Sequence, residues 1–345
     1  MKKCRGCGVE LQYTDKNSLG YAPDESFDYC QRCFRLSHYG DISNFTKDIS
    51  ENQKVIESYK TINNALYVVI VDCFDGLIIN EDHLLDYFAD KEVLLVINKI
   101  DLLPKNITEE KINEMYAKAL SRFNTRTNLN CFLTYRKDYT FNDMFYDFLD
   151  EKGYKKVVFV GRVNAGKSTL INKLTKDEVL TTSIYPGTTM ALNELKFNGY
   201  TFIDTPGLLD EESYISYIDN KLIKDILPLK TMKASSFQLH EDQSYSVEGL
   251  FALDIVTNKK ASVVFFVNNN LPVHRSKLSN AKKYLENNAD SFKLKMLPFK
   301  SNWYEVQGYK TFYLKGLGMF KVSGNCKVNI RVNDKIKVYM NEVNI

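Results

Sequence analysis

The sequence contains no long hydrophobic run. Its longest apolar stretches, residues 65–71 and 261–267, are far shorter than the roughly 20 residues that cross a bilayer as a helix. The first residues, MKKCRGCGVELQY, include basic side chains but not the apolar segment that a secretory signal needs. The first absence argues against an integral membrane protein and the second against secretion. We therefore expect a cytoplasmic protein that does not act on membranes.

Apolar side chains are nevertheless abundant enough to build substantial cores. Hydrophobic residues make up 44% of the chain and aromatic residues 13%, which excludes wholesale disorder. With 345 residues, the chain is longer than one ordinary domain. Its length predicts two or three domains.

Charge is unevenly distributed along the chain. The formal net charge is only +3, yet residues 256–345 contain 16 basic and 5 acidic side chains, a balance of +11. The remaining residues contain 30 basic and 38 acidic side chains, a balance of −8. Such asymmetry favours a C-terminal module that faces a polyanion, although a solvated lysine-rich surface would give the same pattern.

Four of the seven cysteines form two CxxC pairs, Cys4 with Cys7 and Cys30 with Cys33. A zinc ion prefers four thiolates at tetrahedral corners, and each CxxC turn supplies two of them. Two disulfides or a redox CxxC are the alternatives, but the lack of a secretory signal and the repeated pair favour zinc. We predict a closed, structural zinc site. The other three cysteines lie in apolar surroundings and are predicted to be core residues.

The middle of the chain contains a phosphate-binding motif. The apolar run of residues 155–160 leads directly into Gly161-Arg-Val-Asn-Ala-Gly-Lys-Ser168, and a helical pattern follows. Strand, GxxxxGK[ST] and helix form the context that a P-loop requires. Loop amides and the helix N-terminus cradle phosphates, Lys167 neutralises the β and γ oxygens, and Ser168 binds Mg²⁺.

A second segment fits detection of the γ-phosphate. The runs 191–197 and 200–203 are strand-like and are joined by Asn198-Gly199, a preferred hairpin turn. The second run ends in Asp204-Thr-Pro-Gly207, where Asp204 can hold Mg²⁺ and the Gly207 amide can reach the γ-phosphate. Residues 181–190, TTSIYPGTTM, form a loop with hydroxyl groups that can complete the Mg²⁺ shell.

The guanine-recognition motif lies upstream of both. The apolar strand 93–97 ends in Asn98-Lys99-Ile100-Asp101, an NKxD sequence. The Asp101 carboxylate would accept hydrogen bonds from the guanine N1–H and exocyclic amine, which adenine cannot supply in the same way. NKxD is weak evidence alone but strong in a chain that also contains GxxxxGKS and DTPG.

The motif order resembles that of the YqeH type of circularly permuted GTPase. NKxD precedes the P-loop, the threonine loop and DTPG, and a CxGCG…CxRC finger stands at the start. Further segments of the same resemblance are CQRCFRLSHYGD, YPGTT, NNNLPVHRSKL and LKGLGMFKV. The resemblance covers nearly the whole chain. It implies a bacterial assembly factor of the small ribosomal subunit with relatives in mitochondria and plastids.

The predicted fold is α/β, a circularly permuted P-loop GTPase domain flanked by an N-terminal zinc finger and a mostly β C-terminal domain. We place the Cys4 zinc finger at residues 1–45, the GTPase domain at 46–213 and the basic domain at 214–345. Strands at 65–71, 93–97, 130–134 and 156–160 alternate with helices near 81–90, 109–122 and 141–151. This alternation predicts a doubly wound parallel sheet.

Two positions depart from the usual GTPase pattern. In the loop that normally packs against guanine, Thr134 can replace the usual serine, but Tyr135 is larger than the usual alanine and would loosen the contact. Leu208 follows the DTPG glycine, where several GTPases have a water-positioning glutamine, and leucine cannot polarise water. By resemblance, Asn164 and carbonyls of residues 181–187 would hold a K⁺ ion in place of an arginine finger. Alternatively, Asn164 only braces the loop.

The candidate site residues fall into four groups. Catalysis is assigned to Lys167, Asn164, Thr189 and Gly207. Zinc is assigned to Cys4, Cys7, Cys30 and Cys33; Mg²⁺ to Ser168, Asp204 and Thr189, with Thr188 as second choice to Thr189; and K⁺ to Asn164. GTP or GDP binding is assigned to Asn98, Lys99, Asp101, Thr134, Gly161, Asn164, Ala165, Gly166, Lys167, Ser168, Thr169, Thr188, Thr189, Asp204 and Gly207.

The C-terminal third has a different pattern. A helix is predicted near 211–225, strands near 235–239, 245–255 and 261–267, and lysine-rich strands from about 309 onward with a turn at 323–325. Aromatic residues alternate with the lysines. Bases stack on aromatic rings while lysines contact phosphates, so RNA binding is physically reasonable, although most single aromatic residues are better explained as core.

Three functions remain open from the sequence. The first is a slow GTPase, stimulated by K⁺ or the ribosomal particle, that assembles the small (30S) subunit by binding 16S-type rRNA as a monomer. The second is a GTP-dependent RNA-binding scaffold with incidental hydrolysis. The third is a GTPase of tRNA modification or organelle function.

Overall fold

A computed structural model describes residues 2–39, 48–124, 129–135, 137–138, 140–176, 180–182 and 189–342. The chain forms two compact units. The first contains Met1–Cys73, Asp82–Ile100 and Phe123–Asp210, and the second contains Phe74–Glu81, Asp101–Arg122 and Glu211–Ile345. Over the described ranges, every helix is too short or too polar to cross a bilayer.

The first unit is built on a six-stranded sheet. In the order β3-β2-β1-β4-β6-β5, all neighbours are parallel except β5, which runs antiparallel to β6. The predicted α/β fold with a mainly parallel sheet is thus confirmed. The strands are β1 Leu66–Asp72, β2 Val93–Asn98, β3 Asn130–Leu133, β4 Lys156–Gly161, β5 Asn193–Phe197 and β6 Tyr200–Asp204.

The core of this unit explains why its central strands are almost wholly apolar. Strands with both faces covered must be apolar throughout, and β1 and β4 are buried along nearly their whole length. Helices α4 (Thr140–Lys152) and α5 (Lys167–Thr175) contribute Phe145 and Ile171 to the same core as Val68 and Phe159. Fully burying one such side chain stabilises the fold by roughly 1.5–3 kcal/mol.

The parallel arrangement brings three motifs to one edge of the sheet. Strand β2 ends at Asn98, β4 at Gly161 and β6 at Asp204. Because these strands run in the same direction, their carboxyl ends lie together. Open α/β sheets bind ligands at this edge.

Two helices of this unit precede the sheet. Helix α1 is Gln31–Tyr39 and contains Cys33 of the second CxxC pair, and α2 is Asn52–Lys60. The helix predicted near 81–90 is wrong, since only a 3-10 turn, Leu85–Phe88, is present. The Asp82 carboxylate accepts the Leu84 amide 2.9 Å away and also pairs with Arg162. Those contacts fix a turn where an α-helix would have begun.

The second unit contains a β-rich, barrel-like domain. Its sheet has the order β11-β8-β9-β13-β10-β7, and β12 pairs with β13 and β14. The strands are β7 Ser235–Leu239, β8 Gln243–Val247, β9 Phe251–Val256, β10 Ala261–Val267, β11 Val273–Lys277, β12 Lys300–Leu314, β13 Gly318–Val332 and β14 Tyr339–Asn341. Its α-helices are α3 Glu109–Asn124, whose first part lies in this unit, α6 Ile223–Ile226 and α7 Ala281–Asn288.

Strand β13 is long and pairs with two different strands on one of its sides. Its residues 327–332 pair with β9, whereas residues 318–323 pair with β10 on the same side. Gly324 lies between the two halves at φ +135° and faces Gly308 of β12. Phe251, Phe265 and Phe320 pack together inside the fold, with ring centroids 5.5–6.3 Å apart.

Two further sequence predictions for this unit are corrected. The turn predicted at 323–325 lies instead at 315–317, because Gly324 bends a continuous strand rather than ending one. The helix predicted near 211–225 is divided into 3-10 turns, Tyr214–Ser216 and Asn220–Leu222, followed by α6. Ser213 and Asp219 cap these turns separately with their side chains, which prevents one continuous helix.

Candidate functional site

The four N-terminal cysteines form a compact buried cluster. Their Sγ atoms all lie within 4.8 Å of one another, and Cys7 Sγ is 3.8 Å from Cys30 Sγ. Four thiolates about 2.3 Å from a central zinc ion would be about 3.8 Å apart, whereas a disulfide needs about 2.05 Å. The Cys30 amide donates to Cys4 Sγ at 3.2 Å, as is expected beside a thiolate. The cluster is therefore compatible with zinc.

The remaining cysteines lie elsewhere. Cys73 and Cys326 are buried and Cys131 is half-buried. Burial raises the pKa of Cys131 to about 12, so this thiol stays protonated near neutral pH. The prediction that Cys73 and Cys326 are core residues is confirmed.

The P-loop connects β4 to α5 through two left-handed residues. Asn164 has φ +64° and Gly166 has φ +100°. A Cβ at position 166 would lie 2.3 Å from Asn98 Nδ2, so glycine is needed for both the backbone and the close approach. Helix α5 begins at Lys167, so Ser168 and the half-buried Thr169 lie in its first turn. The loop and the start of the helix form an anion-binding edge.

Lys167 is buried at the centre of this loop. Its Nζ donates to the carbonyls of Gly161 and Arg162, both at 3.2 Å. The pKa of Lys167 is lowered to about 8, mainly by burial and also by the charge of Lys99, while Asp204 partly opposes the shift. An amine buried in this way is stabilised in its charged form by an anionic ligand.

Three oxygen-bearing side chains meet beside the loop. Ser168 Oγ and Thr189 Oγ1 each donate to Asp204 Oδ2 at 2.9 Å, and the two hydroxyl oxygens are 3.4 Å apart. Asp204 Oδ1 is buried and has no hydrogen-bond partner among the described residues. Desolvation raises the pKa of this carboxyl. The oxygen donors and the unsatisfied buried atom fit a Mg²⁺ ion. Thr188 lies outside the described residues.

The guanine-recognition motif is tied to the P-loop. Asn98 Nδ2 donates to the Ala165 carbonyl at 3.0 Å, and Lys99 Nζ donates to the Asn164 carbonyl. Asp101 follows in the 3-10 helix Ile100–Leu102. Strand β2 thus positions NKxD by contacts that the linear sequence does not indicate.

Thr134, the predicted substitute for the usual serine, is completely buried after β3. Its amide donates to the Ile97 carbonyl at 2.8 Å, and its hydroxyl donates to Asp138 Oδ2 at 3.2 Å. Lys173 of α5 donates to Thr134 Oγ1 at 2.8 Å and to the Tyr135 carbonyl at 3.1 Å. Sequence reasoning missed Lys173, since no motif marks it, although it fixes the loop that follows β3. Burial lowers its pKa to about 8.

The DTPG segment, residues 204–210, is paired with the P-loop. The Leu208 amide donates to the Gly161 carbonyl at 3.2 Å, and the Val163 amide donates to the Leu208 carbonyl at 2.9 Å. A Cβ on Gly207 would lie 3.2 Å from Lys167 Nζ. The Leu208 side chain is buried and offers no polar atom to a water molecule.

Two additional groups hold this segment, and neither was predicted. Arg162 contacts Asp82 through both terminal nitrogens and Asp210 through Nε at 2.8 Å. Asn52 of α2 donates to the Leu209 carbonyl at 2.7 Å and accepts from its amide at 3.0 Å. Arg162 occupies a variable position of GxxxxGKS, and Asn52 is 157 residues distant, so no sequence pattern signals either contact.

Comparison with known families places these motifs in GTPases. The family described as RsgA GTPase matches residues 62–212, and the family described as 50S ribosome-binding GTPase matches residues 156–291. GTPase Der of Buchnera aphidicola subsp. Acyrthosiphon pisum (strain Tuc7) is 29% identical over 77% of this chain and 61% of its own length. GTPase Era of Fusobacterium nucleatum is 41% identical over 20% of this chain and 26% of its own length.

One relative matches most of the chain. The uncharacterized protein YqeH of Bacillus subtilis (strain 168) is 31% identical over 298 residues, which are 83% of this chain and 81% of that protein. The similarity extends well beyond the two family matches, which cover the nucleotide-binding segments. The chain therefore belongs to the YqeH family of circularly permuted GTPases, which hydrolyse GTP to GDP and phosphate.

Proposed function

We propose that this GTPase acts in the cytoplasm as an assembly factor of the small ribosomal subunit. The observation that carries the proposal is the pairing of a GTP site with a C-terminal segment, residues 256–345, of balance +11. The polyanion that such a segment would meet in ribosome assembly is 16S-type rRNA. One matching family is described as a 50S ribosome-binding GTPase, which supports a ribosomal role without selecting the small subunit.

The proposed roles at the nucleotide follow from the contacts of the side chains. Lys167 and the P-loop amides bind the phosphates, Asn98 and Asp101 select guanine, and the Gly207 amide lies beside the γ-phosphate. Ser168, Thr189 and Asp204 hold Mg²⁺, which supplies charge neutralisation at the phosphates. The buried Leu208 does not orient water, so we expect slow intrinsic turnover.

We further propose K⁺ as the group that compensates for Leu208. Asn164 is held in a left-handed conformation, and its carbonyl is fixed by Lys99. Residues 183–188 of the loop that would supply carbonyl ligands lie outside the described residues. Single-turnover hydrolysis should be faster in K⁺ than in Na⁺, and Asn164→Ala should abolish the difference while GTP binding remains. Equal rates in the two salts would contradict the K⁺ proposal.

The C-terminal sheet offers a surface on which RNA can stack. Trp303 and Tyr309 point to the same face of β12 and are 59% and 37% exposed. The β13 residue opposite Glu305 on that face is Lys327, whose side chain is exposed. Bases stacked on exposed rings, with lysines near phosphates, are the usual physical basis of single-stranded RNA binding. The buried Phe312 and Tyr313 belong to the core instead.

Co-sedimentation tests the proposal as a whole. The full-length protein would be mixed with purified small subunits in the presence of a non-hydrolysable GTP analogue or GDP. We expect the amount of protein that sediments with small subunits to differ between the GTP analogue and GDP. If the protein never fractionates with small subunits, the assembly role is wrong, and activity on tRNA would be tested next.

A second candidate function is a GTP-dependent RNA-binding scaffold whose hydrolysis is incidental. The buried Leu208 favours it, because a scaffold needs no water-positioning group. Negligible turnover in K⁺, with or without ribosomal particles, would support the scaffold.

A further inference from the structure

The cysteine finger contacts the loop that contains the Mg²⁺ threonine. The knuckle, defined as residues 4–8, presents the carbonyl of Cys7 to this loop. That carbonyl accepts hydrogen bonds from the amides of Met190 at 3.0 Å and Ala191 at 3.1 Å. A residue of the cysteine cluster thus holds, through its own backbone, the residue next to Thr189.

A side-chain contact strengthens this connection. Asn193 Nδ2 donates to the Arg5 carbonyl at 2.7 Å. Asn193 is buried at the start of β5, and its β6 partner in the antiparallel register is Asp204. The knuckle is therefore bonded to the strand adjacent to the carboxylate that accepts the Thr189 hydroxyl.

Two glycines allow the knuckle to approach the loop closely. Gly8 has φ +79°, and a Cβ there would lie 2.7 Å from the Ala191 carbonyl oxygen. A Cβ on Gly6 would lie 2.2 Å from Thr181 Oγ1. Any side chain at these positions would separate the knuckle from one side of the loop. The knuckle thus contacts the described residues on both sides of the segment 183–188.

The hydrogen bonds define one position of residues 189–191. With Cys7 bonded to Met190 and Ala191, Thr189 Oγ1 is 2.9 Å from Asp204 Oδ2 and 3.4 Å from Ser168 Oγ. The carbonyl of Cys7 keeps its direction only while the knuckle backbone is fixed, and four thiolates around a metal fix it. Loss of the metal would release the carbonyl together with the CxxC turn.

We propose that the metal-bound knuckle positions Thr189 for Mg²⁺·GTP, so that zinc binding and GTP binding are coupled. Asn193 is a positioning residue in this coupling. The inference rests on the proposed role of Thr189 at the nucleotide. Because binding free energies are reciprocal, GTP must strengthen zinc binding by the same factor by which zinc strengthens GTP binding.

Equilibrium competition for zinc tests the coupling without measuring hydrolysis. The zinc-loaded full-length protein is titrated with a chromogenic zinc chelator in the presence of Mg²⁺ and either GDP or a non-hydrolysable GTP analogue. We expect zinc affinity about fivefold or more higher with the GTP analogue, within the usual range of allosteric coupling. Asn193→Ala should bring the ratio of the two affinities towards one.

A matched control lies in the same finger on a different contact. Asp28 pairs with Lys2 at 2.9 Å and with the Arg5 side chain at 3.6 Å, whereas Asn193 bonds to the Arg5 backbone. Neither Asp28 nor Lys2 bonds to the threonine loop in the described contacts. Asp28→Asn should therefore retain the ratio. Binding of fluorescent nucleotides and a thermal melt would confirm that each variant is folded and occupied.

The outcomes separate the inference from the proposed function. Equal zinc affinities of the wild-type protein with GDP and the GTP analogue, both bound, would overturn the coupling and leave the GTPase assignment intact. Absence of nucleotide binding would overturn both. A ratio that persists in Asn193→Ala and is lost in Asp28→Asn would overturn the assignment to this contact.

Discussion

At the scale of single residues, Asp101 is the proposed determinant of which base is accepted. Its carboxylate follows β2 in the 3-10 helix Ile100–Leu102. In Asp101→Asn, one of the two acceptor oxygens of the carboxylate is replaced by an amide NH2 group. This group can donate a hydrogen bond to the exocyclic oxygen by which xanthine differs from guanine. We expect preference to change from GTP to xanthosine triphosphate with no change in fold, measured by competition against a fluorescent nucleotide and by circular dichroism. Unchanged preference for GTP would refute the assignment of NKxD.

Lys167 gives nucleotide binding a pH dependence. Burial lowers its pKa to about 8 in the free protein, below the usual value for lysine. Phosphates favour the charged amine and raise the pKa, so binding above pH 8 requires uptake of a proton. Affinity for GTP should then fall as pH rises, by about fourfold between pH 7 and 8.5 for one group with this pKa.

The control for this prediction is the second lysine with a pKa of about 8. Lys173 contacts Thr134 and lies on the same helix. If Lys167 is the source, Lys173→Met retains the fall in affinity that isothermal titration measures. Loss of the pH dependence in Lys173→Met would assign the pH dependence to Lys173, which contacts the loop that follows β3.

At the scale of elements, the β12–β13 hairpin depends on two facing glycines that differ in their surroundings. A Cβ on Gly324 would lie 3.0 Å from Ala261 Cβ, whereas a Cβ on Gly308 would contact no atom within 4 Å. Both have positive φ, so Gly→Ala strains either one by roughly 1–3 kcal/mol. We expect Gly324→Ala to lower the free energy of unfolding more than Gly308→Ala, as measured by denaturant titration. Equal losses would contradict the packing argument.

The elements that could be predicted are those that local chemistry determines. The apolar run before GxxxxGKS formed β4, and Asn198-Gly199 formed a hairpin turn in which both residues have positive φ. The turn expected at Gly324 was wrong because a glycine signals special backbone geometry without saying whether a strand bends or ends. The helices near 81–90 and 211–225 were interrupted by side-chain caps at Asp82, Ser213 and Asp219.

For the site, motifs predicted the candidate ligand-binding residues but not the residues that hold those side chains in place. Ser168, Asp204 and Thr189 were expected together, and the sheet brings them together. Asn52, Arg162 and Lys173 act through contacts between distant parts of the chain. A single sequence contains no pattern for such contacts, since they depend on packing rather than on spacing.

At the scale of the whole molecule, the charge of residues 256–345 predicts strong salt dependence of RNA binding. Lysines that contact phosphates release counterions, so affinity falls linearly with salt on logarithmic axes. Lys327→Gln removes an exposed charge of β13 on the proposed RNA surface, and it should weaken binding to small subunits and reduce the slope by about one. The exposed Lys152→Gln in α4 is the control. A slope unchanged by Lys327→Gln would place the RNA elsewhere.

The chain has one tryptophan, Trp303, and its ring is 59% exposed on β12. All indole fluorescence of the protein therefore originates from a single position on the proposed RNA surface. In the free protein this emission should be red-shifted and readily quenched by iodide, as for any solvated indole. A partner that covers the sheet would shield the ring and change its emission. The protein thus contains an intrinsic optical reporter on this face, without any added label.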